Sequence, residues 1–220
     1  MAMSTSTYKI TGGIYLVLDP SMEKQLLFDK LAAALSAGID VVQIWNNWPA
    51  NTDKLSWIEA VAGLCHFYKV PLLINEDWEL LKESPYLDGV HLDTVPDDFE
   101  AIGQAINRPF LTGITCSGDL ATVTWATVHQ LDYVSFCAMF PSPSAGSCSI
   151  VMPATVREAR TMSSLPLFVS GGITPNNLPE LKKATPFDGV AVISGILSAD
   201  DPREKVKQYQ HALGIKKYTS

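Results

Sequence analysis

The chain has 220 residues, of which 47% are hydrophobic and 18% charged. That is the composition of a globular domain with enough length for one full core, not of a disordered chain. The formal net charge is −7 and no Lys/Arg run exceeds a pair such as Lys216-Lys217, which argues against a nucleic-acid partner, since neutralising phosphates requires a basic face.

In chain order, Met1 to Thr7 shows no charged stretch followed by an apolar run, so no signal peptide is expected. Short apolar runs then alternate with segments of helical period. Strands are expected at Ile14–Leu18, Asp40–Ile44, Leu72–Asn75, Gly89–Leu92, Leu111–Thr115, Tyr133–Phe136, Leu167–Val169 and Gly189–Ile193. Helices fill the gaps, among them Met22–Ser36, Lys54–Tyr68, Leu120–His129, Pro153–Met162 and Pro202–Leu213. None of the apolar runs is long enough to span a bilayer. Four strands open on a related phrase: Asp40-Val41-Val42, Asp88-Gly89-Val90, Asp132-Tyr133-Val134 and Asp188-Gly189-Val190. Such repetition, in strands apolar on both faces, indicates βα units in a parallel sheet. Eight of them make a single-domain α/β protein, a (β/α)8 TIM barrel. An open doubly wound sheet is the alternative, but Asp19-Pro20-Ser21 lacks its glycine-rich turn. The segment from Cys137 to Met152, rich in Ser, Pro and Gly, is a candidate lid. Cys65, Cys116, Cys137 and Cys148 form no C-x-x-C pair and are expected as free thiols in a reducing compartment, hence a cytoplasmic protein.

Loops after barrel strands carry the chemistry. After the seventh strand comes Ser170-Gly171-Gly172-Ile173-Thr174, and after the eighth Ile193-Ser194-Gly195, which opens a helical turn. Glycine-rich backbone at these two places offers amide groups to a phosphate. Asn75-Glu76-Asp77 ends the third strand and His91-Leu92-Asp93 the fourth. Glu76 and Asp93 are candidate ligands for Mg²⁺ on a diphosphate; alternatively these carboxylates cap helices, a role that suits Asp77 and Asp97 better. His91 reads as a packed or hydrogen-bonded interior group more readily than as a catalyst. Gln43 would aim its amide at the barrel mouth, where it could read a heterocycle edge. Trp45 and Trp48 would stack on that ring or cover the barrel top. His66, His129 and His211 fall on helices, and no Ser/His/Asp or Cys/His set is legible.

At these residues the chain resembles the thiamine phosphate synthase family, which includes the thiazole tautomerase branch. The phrases that carry the likeness are Tyr15-Leu16-Val17, Gly38 to Gln43, Pro71 to Asn75, Asp88 to Leu92, Asp132 to Phe136, Gly171-Gly172-Ile173 with Asn177, and Gly189 to Ser194. Residues 13–198 form the family-like core, 1–12 an N-terminal extension, and 199–220 a C-terminal helix and tail. The resemblance implies that a thiazole phosphate nitrogen attacks the methylene of an aminopyrimidine diphosphate, and that diphosphate leaves with help from Mg²⁺. The thiazole phosphate would sit on Gly171, Gly172, Ile193 and Ser194. The pyrimidine would meet Tyr15 and Gln43, beside Trp45 and Thr115, with Asn75 near the diphosphate.

Departures from the family pattern cluster on the diphosphate. An Arg and a Lys are replaced by Trp45 and Asn47, a metal-binding Asp by Glu76, and a second by Pro96, for which Asp93 or Asp97 could stand in. The Thr-x-Thr-Lys of the loop after strand six reads Ser142-Pro143-Ser144-Ala145, so Ser142 and Ser144 keep hydroxyls while the Lys is lost. Removing even one group that stabilises a developing charge can cost ~2.7–4 kcal/mol. The resemblance therefore implies a transferase of the thiamine-phosphate diphosphorylase type, or a non-catalytic binder of thiazole phosphate or thiamine phosphate. A tautomerase-like isomerase is a third reading, without the His of that branch, whose place is taken by Ala138. A homodimer is left open.

Overall fold

In the computed structural model, which describes residues 8–142 and 149–215, eight parallel strands close into a barrel in sequence order. They are β1 (Gly13–Leu18), β2 (Val41–Ile44), β3 (Leu72–Asn75), β4 (Gly89–Leu92), β5 (Leu111–Thr115), β6 (Tyr133–Phe136), β7 (Leu167–Ser170) and β8 (Gly189–Val192). Between them run α1 (Lys24–Ala37), α2 (Lys54–Phe67), α3 (Trp78–Glu83), α4 (Phe99–Ile106), α5 (Leu120–Val128), α6 (Pro153–Met162) and α7 (Leu178–Ala184); α8 (Ser194–Leu197) and α9 (Pro202–Leu213) follow β8. The eight expected strands are all present, within a residue at either end. The open-sheet alternative is excluded by the pairing of β1 with β8.

The four-fold aspartate phrase has a structural cause. Asp40, Asp88, Asp132 and Asp188 each precede an even-numbered strand, and each carboxylate accepts the backbone N–H at or beside the start of the odd strand before it. The donors are Ile14 (2.8 Å), Leu72 (2.8 Å), Thr112 (2.7 Å) and Leu167 (2.8 Å). One residue type thus pins the N-terminal rim of the barrel at four places. Helix starts follow ordinary capping chemistry: Asp53, Asp77, Asp98, Asp119 and Asp201 accept backbone N–H groups of the first turn. Asp98, not Asp97, caps α4, because its side chain faces Ala101 N.

Two apolar cores result. One lies between sheet and helices. The other fills the barrel with Tyr15, Val41, Leu73, Leu111, Tyr133 and Phe168, closed off by Ile10 from the segment before β1. Tyr15, Tyr133 and Phe168 meet edge-to-face, with centroids 5.4–5.6 Å apart. Gly113 makes room for them, since a Cβ there would strike the Tyr133 ring. No helix among the described residues is long and apolar enough to cross a membrane.

Candidate active site

Two residues beyond that inner core the inward-facing positions turn polar: Val41 is followed by Gln43, Leu73 by Asn75, Tyr133 by Ser135 and Phe168 by Ser170. With His91 and Thr115 they floor a cavity of about 780 Å³ at the C-terminal end of the barrel. Of the residues singled out from sequence, Tyr15, Gln43, Trp45, Asn75, Asp93, Thr115, Ser142, Gly171, Gly172, Ile193 and Ser194 line it. Ser144 lies outside the described residues, as does most of the segment expected as a lid. Trp48 does not line the cavity; it packs edge-on against Trp57 of α2, under Lys54, as part of the core between sheet and helices. Glu76 is also absent from the lining, its carboxylate accepting the backbone N–H of Asp93.

The floor is one directional chain of hydrogen bonds. Tyr15 Oη donates to Gln43 Oε1 (2.5 Å), which spends its only hydrogen, so the 2.8 Å contact between the two phenols is donated by Tyr133. Tyr133 in turn has none left, and must accept from His91 Nδ1 (2.8 Å). Burial pushes His91 down to about 4, so the ring is neutral and its bare Nε2 accepts from Thr115 Oγ1 (2.8 Å). The outcome is fixed at both ends. Gln43 turns its Nε2 hydrogens to the cavity as donors, and Thr115 offers only lone pairs. Burial also holds the Tyr15 and Tyr133 phenols above their usual range. In sequence His91 and Tyr133 look only like packed or family-like residues; 42 positions separate them, and only barrel closure joins them.

On the opposite wall the glycine loop is held from behind. Ser170 O accepts from Met139 N (2.8 Å), Gly171 O from Phe140 N (3.1 Å) and Gly172 O from Asn177 Nδ2 (2.9 Å). In a trans peptide the carbonyl and the next N–H point opposite ways. The N–H groups of Gly171, Gly172 and Ile173 are therefore turned away from these anchors, and none donates to a described residue. Ser194 and Gly195, at the start of α8, carry N–H groups that a helix leaves unpaired. The structure adds a reason for glycine that the sequence does not show. Both residues have positive φ (81° and 62°), and a Cβ would run into Ala138 at Gly171, and into Phe140 and Pro141 at Gly172. Close packing of the loop after β6 thus demands glycine at both positions.

Asp93 brings the charge. The cavity walls raise its carboxyl above the ordinary range, with a hydrogen bond from Asn75 opposing. None of the described lining residues is Lys or Arg. Among the described residues no three His, Cys, Asp or Glu side chains converge on one point, so a metal held wholly by protein does not fit. A Mg²⁺ carried in on phosphate oxygens does, because that ion commonly takes one or two carboxylates and keeps substrate and water for the rest. Asp93, just after β4, supplies one such oxygen donor, and Glu76, just after β3, brings a second carboxylate against its backbone N–H.

A family profile described as thiamine monophosphate synthase matches residues 14–196. The chain is 31% identical over 199 residues to the thiamine-phosphate synthase of Nitrosococcus oceani, spanning 90% of this chain and 91% of that protein. It is likewise 31% identical over 199 residues to the thiamine-phosphate synthase of Xanthomonas campestris pv. campestris, spanning 90% and 94%. Among solved structures, thiamine phosphate pyrophosphorylase from Pyrococcus furiosus superposes with a TM-score of 0.78 at 18% identity, over 92% of this chain and 95% of that one. Orotidine 5'-phosphate decarboxylase from Pyrococcus horikoshii gives 0.67 at 13%, over 92% and 100%; these two likenesses concern the fold. With the profile covering nearly the whole barrel and two curated relatives matched almost end to end, the chain belongs to the thiamine monophosphate synthase family.

Proposed function

We propose that the cavity joins a thiazole phosphate to an aminopyrimidine diphosphate. One observation carries this reading: Gly171, Gly172 and Ile173, whose backbone N–H groups donate to no described residue, line the same cavity as the polar floor built on Gln43, His91 and Thr115. A phosphate rests on the cradle with Ser194, and a flat heterocycle lies over the floor, beside Tyr15 and Trp45. The thiazole nitrogen forms a bond to the pyrimidine methylene carbon while the bond from that carbon to the diphosphate oxygen breaks, and diphosphate leaves with the electron pair. Gln43 donates to the ring through Nε2. Asn75 holds Asp93, and Asp93 with Glu76 would hold a Mg²⁺, which would supply positive charge for the diphosphate. Ser142 and Ser144 donate hydroxyl hydrogens to the same group. Cys65 and Cys116 are buried free thiols, which supports placing the reaction in the reducing cytoplasm.

A second reading, a binder of thiazole phosphate or thiamine phosphate that forms no bond, is favoured by the absence of Lys and Arg from the described lining residues. A coupling assay decides between them. Protein, both substrates and Mg²⁺ are mixed, and product is read as fluorescent thiochrome. Turnover that falls about 100-fold in Asp93→Asn supports the synthase. Absent product, with thiazole phosphate still raising the melting temperature, supports the binder.

A further inference from the structure

We propose that Ser135 is a specificity-determining residue of this cavity, donating its hydroxyl hydrogen to an acceptor nitrogen of the heterocycle on the floor. This deepens the synthase reading and rests on it. Ser135 is inward-facing on β6, in register with Thr115 on β5 and Phe168 on β7. It is only 4% exposed, lines the cavity, and its hydroxyl bonds to no described residue. The local backbone does not need that hydroxyl, because the Ser135 carbonyl already accepts from Cys116 N (2.8 Å).

Its neighbours sharpen the inference. Ser170 Oγ donates to Phe136 O (3.3 Å), and the Thr115 hydrogen is committed to His91. Among the described strand hydroxyls of the floor, Ser135 alone keeps an unassigned hydrogen. Beside it Thr115 shows bare lone pairs. An acceptor (Thr115) and a donor (Ser135) thus stand on adjacent strands, complementary to a ligand edge with an amino group next to a ring nitrogen. An aminopyrimidine has that edge. The strand does not use this hydroxyl and it borders the cavity, so a ligand explains its place here.

The test uses the full chain and Ser135→Ala, which changes no hydrogen bond to a described residue. Binding of an aminopyrimidine diphosphate and, separately, of a thiazole phosphate is measured by calorimetry with Mg²⁺, alongside the melting temperature. The expected result is about tenfold weaker pyrimidine binding, thiazole phosphate binding within about twofold of the parent, and a melting temperature unchanged or raised. Unchanged pyrimidine affinity overturns the inference and leaves the synthase reading standing. Equal weakening of both ligands also overturns it, since Ser135 would then act on the whole cavity. A parent protein that binds neither ligand overturns the synthase reading and the inference with it.

Discussion

His91 is the residue on which the floor turns. Its folded-state value near 4 lies below the 6.5 of an exposed imidazole, so the unfolded chain takes up a proton between these values while the folded chain does not. Stability contributed by the neutral ring is therefore fully present above about pH 6.5 and lost as pH falls towards 4, by about 3 kcal/mol. Urea denaturation at pH 7, 5 and 4 should show that loss, and His91→Gln should flatten it. An equal slope in the variant would mean that another group is responsible. The buried carboxyl of Asp132 works in the opposite sense, since its raised value favours the folded state as acid is added. Comparing parent with variant is therefore what isolates the histidine.

At the scale of elements, the loops after β6 and β7 behave as one unit, because Met139 and Phe140 hold the carbonyls of Ser170 and Gly171 and Asn177 bridges Gly172 O and Thr174 N. Asn177→Asp keeps the acceptor for Thr174 and loses the donor to Gly172. Thiazole phosphate affinity should then fall about tenfold with little change in melting temperature; calorimetry that shows no change would detach Asn177 from the cradle. On the opposite rim, Asp132→Ala strands the buried N–H of Thr112 and should cost about 1–3 kcal/mol in urea unfolding. Asp132→Asn, still an acceptor, should cost less, and neither should alter turnover. Much of this was legible in the sequence, for a physical reason. Parallel strands covered on both faces read as unbroken apolar runs, and Gly171-Gly172 after the seventh of them marked the cradle. What escaped depends on closure. A serine inside the run Tyr133–Phe136 looks like any strand residue until β5 sets Thr115 beside it. The packing demand on the two glycines was not legible because residues 138–141 meet them only through long-range contact.

The molecule as a whole is sealed by segments outside residues 14–196, the span of the family profile. Ile10 stoppers the base of the barrel. In α9, Tyr209 Oη donates to Ile173 O (2.8 Å) and Gln210 Nε2 to Ala37 O (2.7 Å) and Gly38 O (3.1 Å), so the last helix ties the cradle to α1. Tyr209→Phe keeps the packing and frees one cradle carbonyl; it should lower the melting temperature by a few degrees, about the effect of one buried hydrogen bond.

The lining that places one carboxylate and, among described residues, no cation around the ligand also sets how fast a ligand arrives. A phosphate ester approaching a chain of net charge −7 finds no attractive funnel, and the repulsion it feels is screened over about 8 Å at physiological ionic strength. Added salt should then quicken association instead of slowing it, by about two- to threefold between roughly 20 and 200 mM, in stopped-flow measurements with metal-free thiazole phosphate. A slowing would reveal a positive path into the cavity. A quickening would mean that ionic strength governs the encounter rate of this barrel in the sense opposite to an electrostatically steered one.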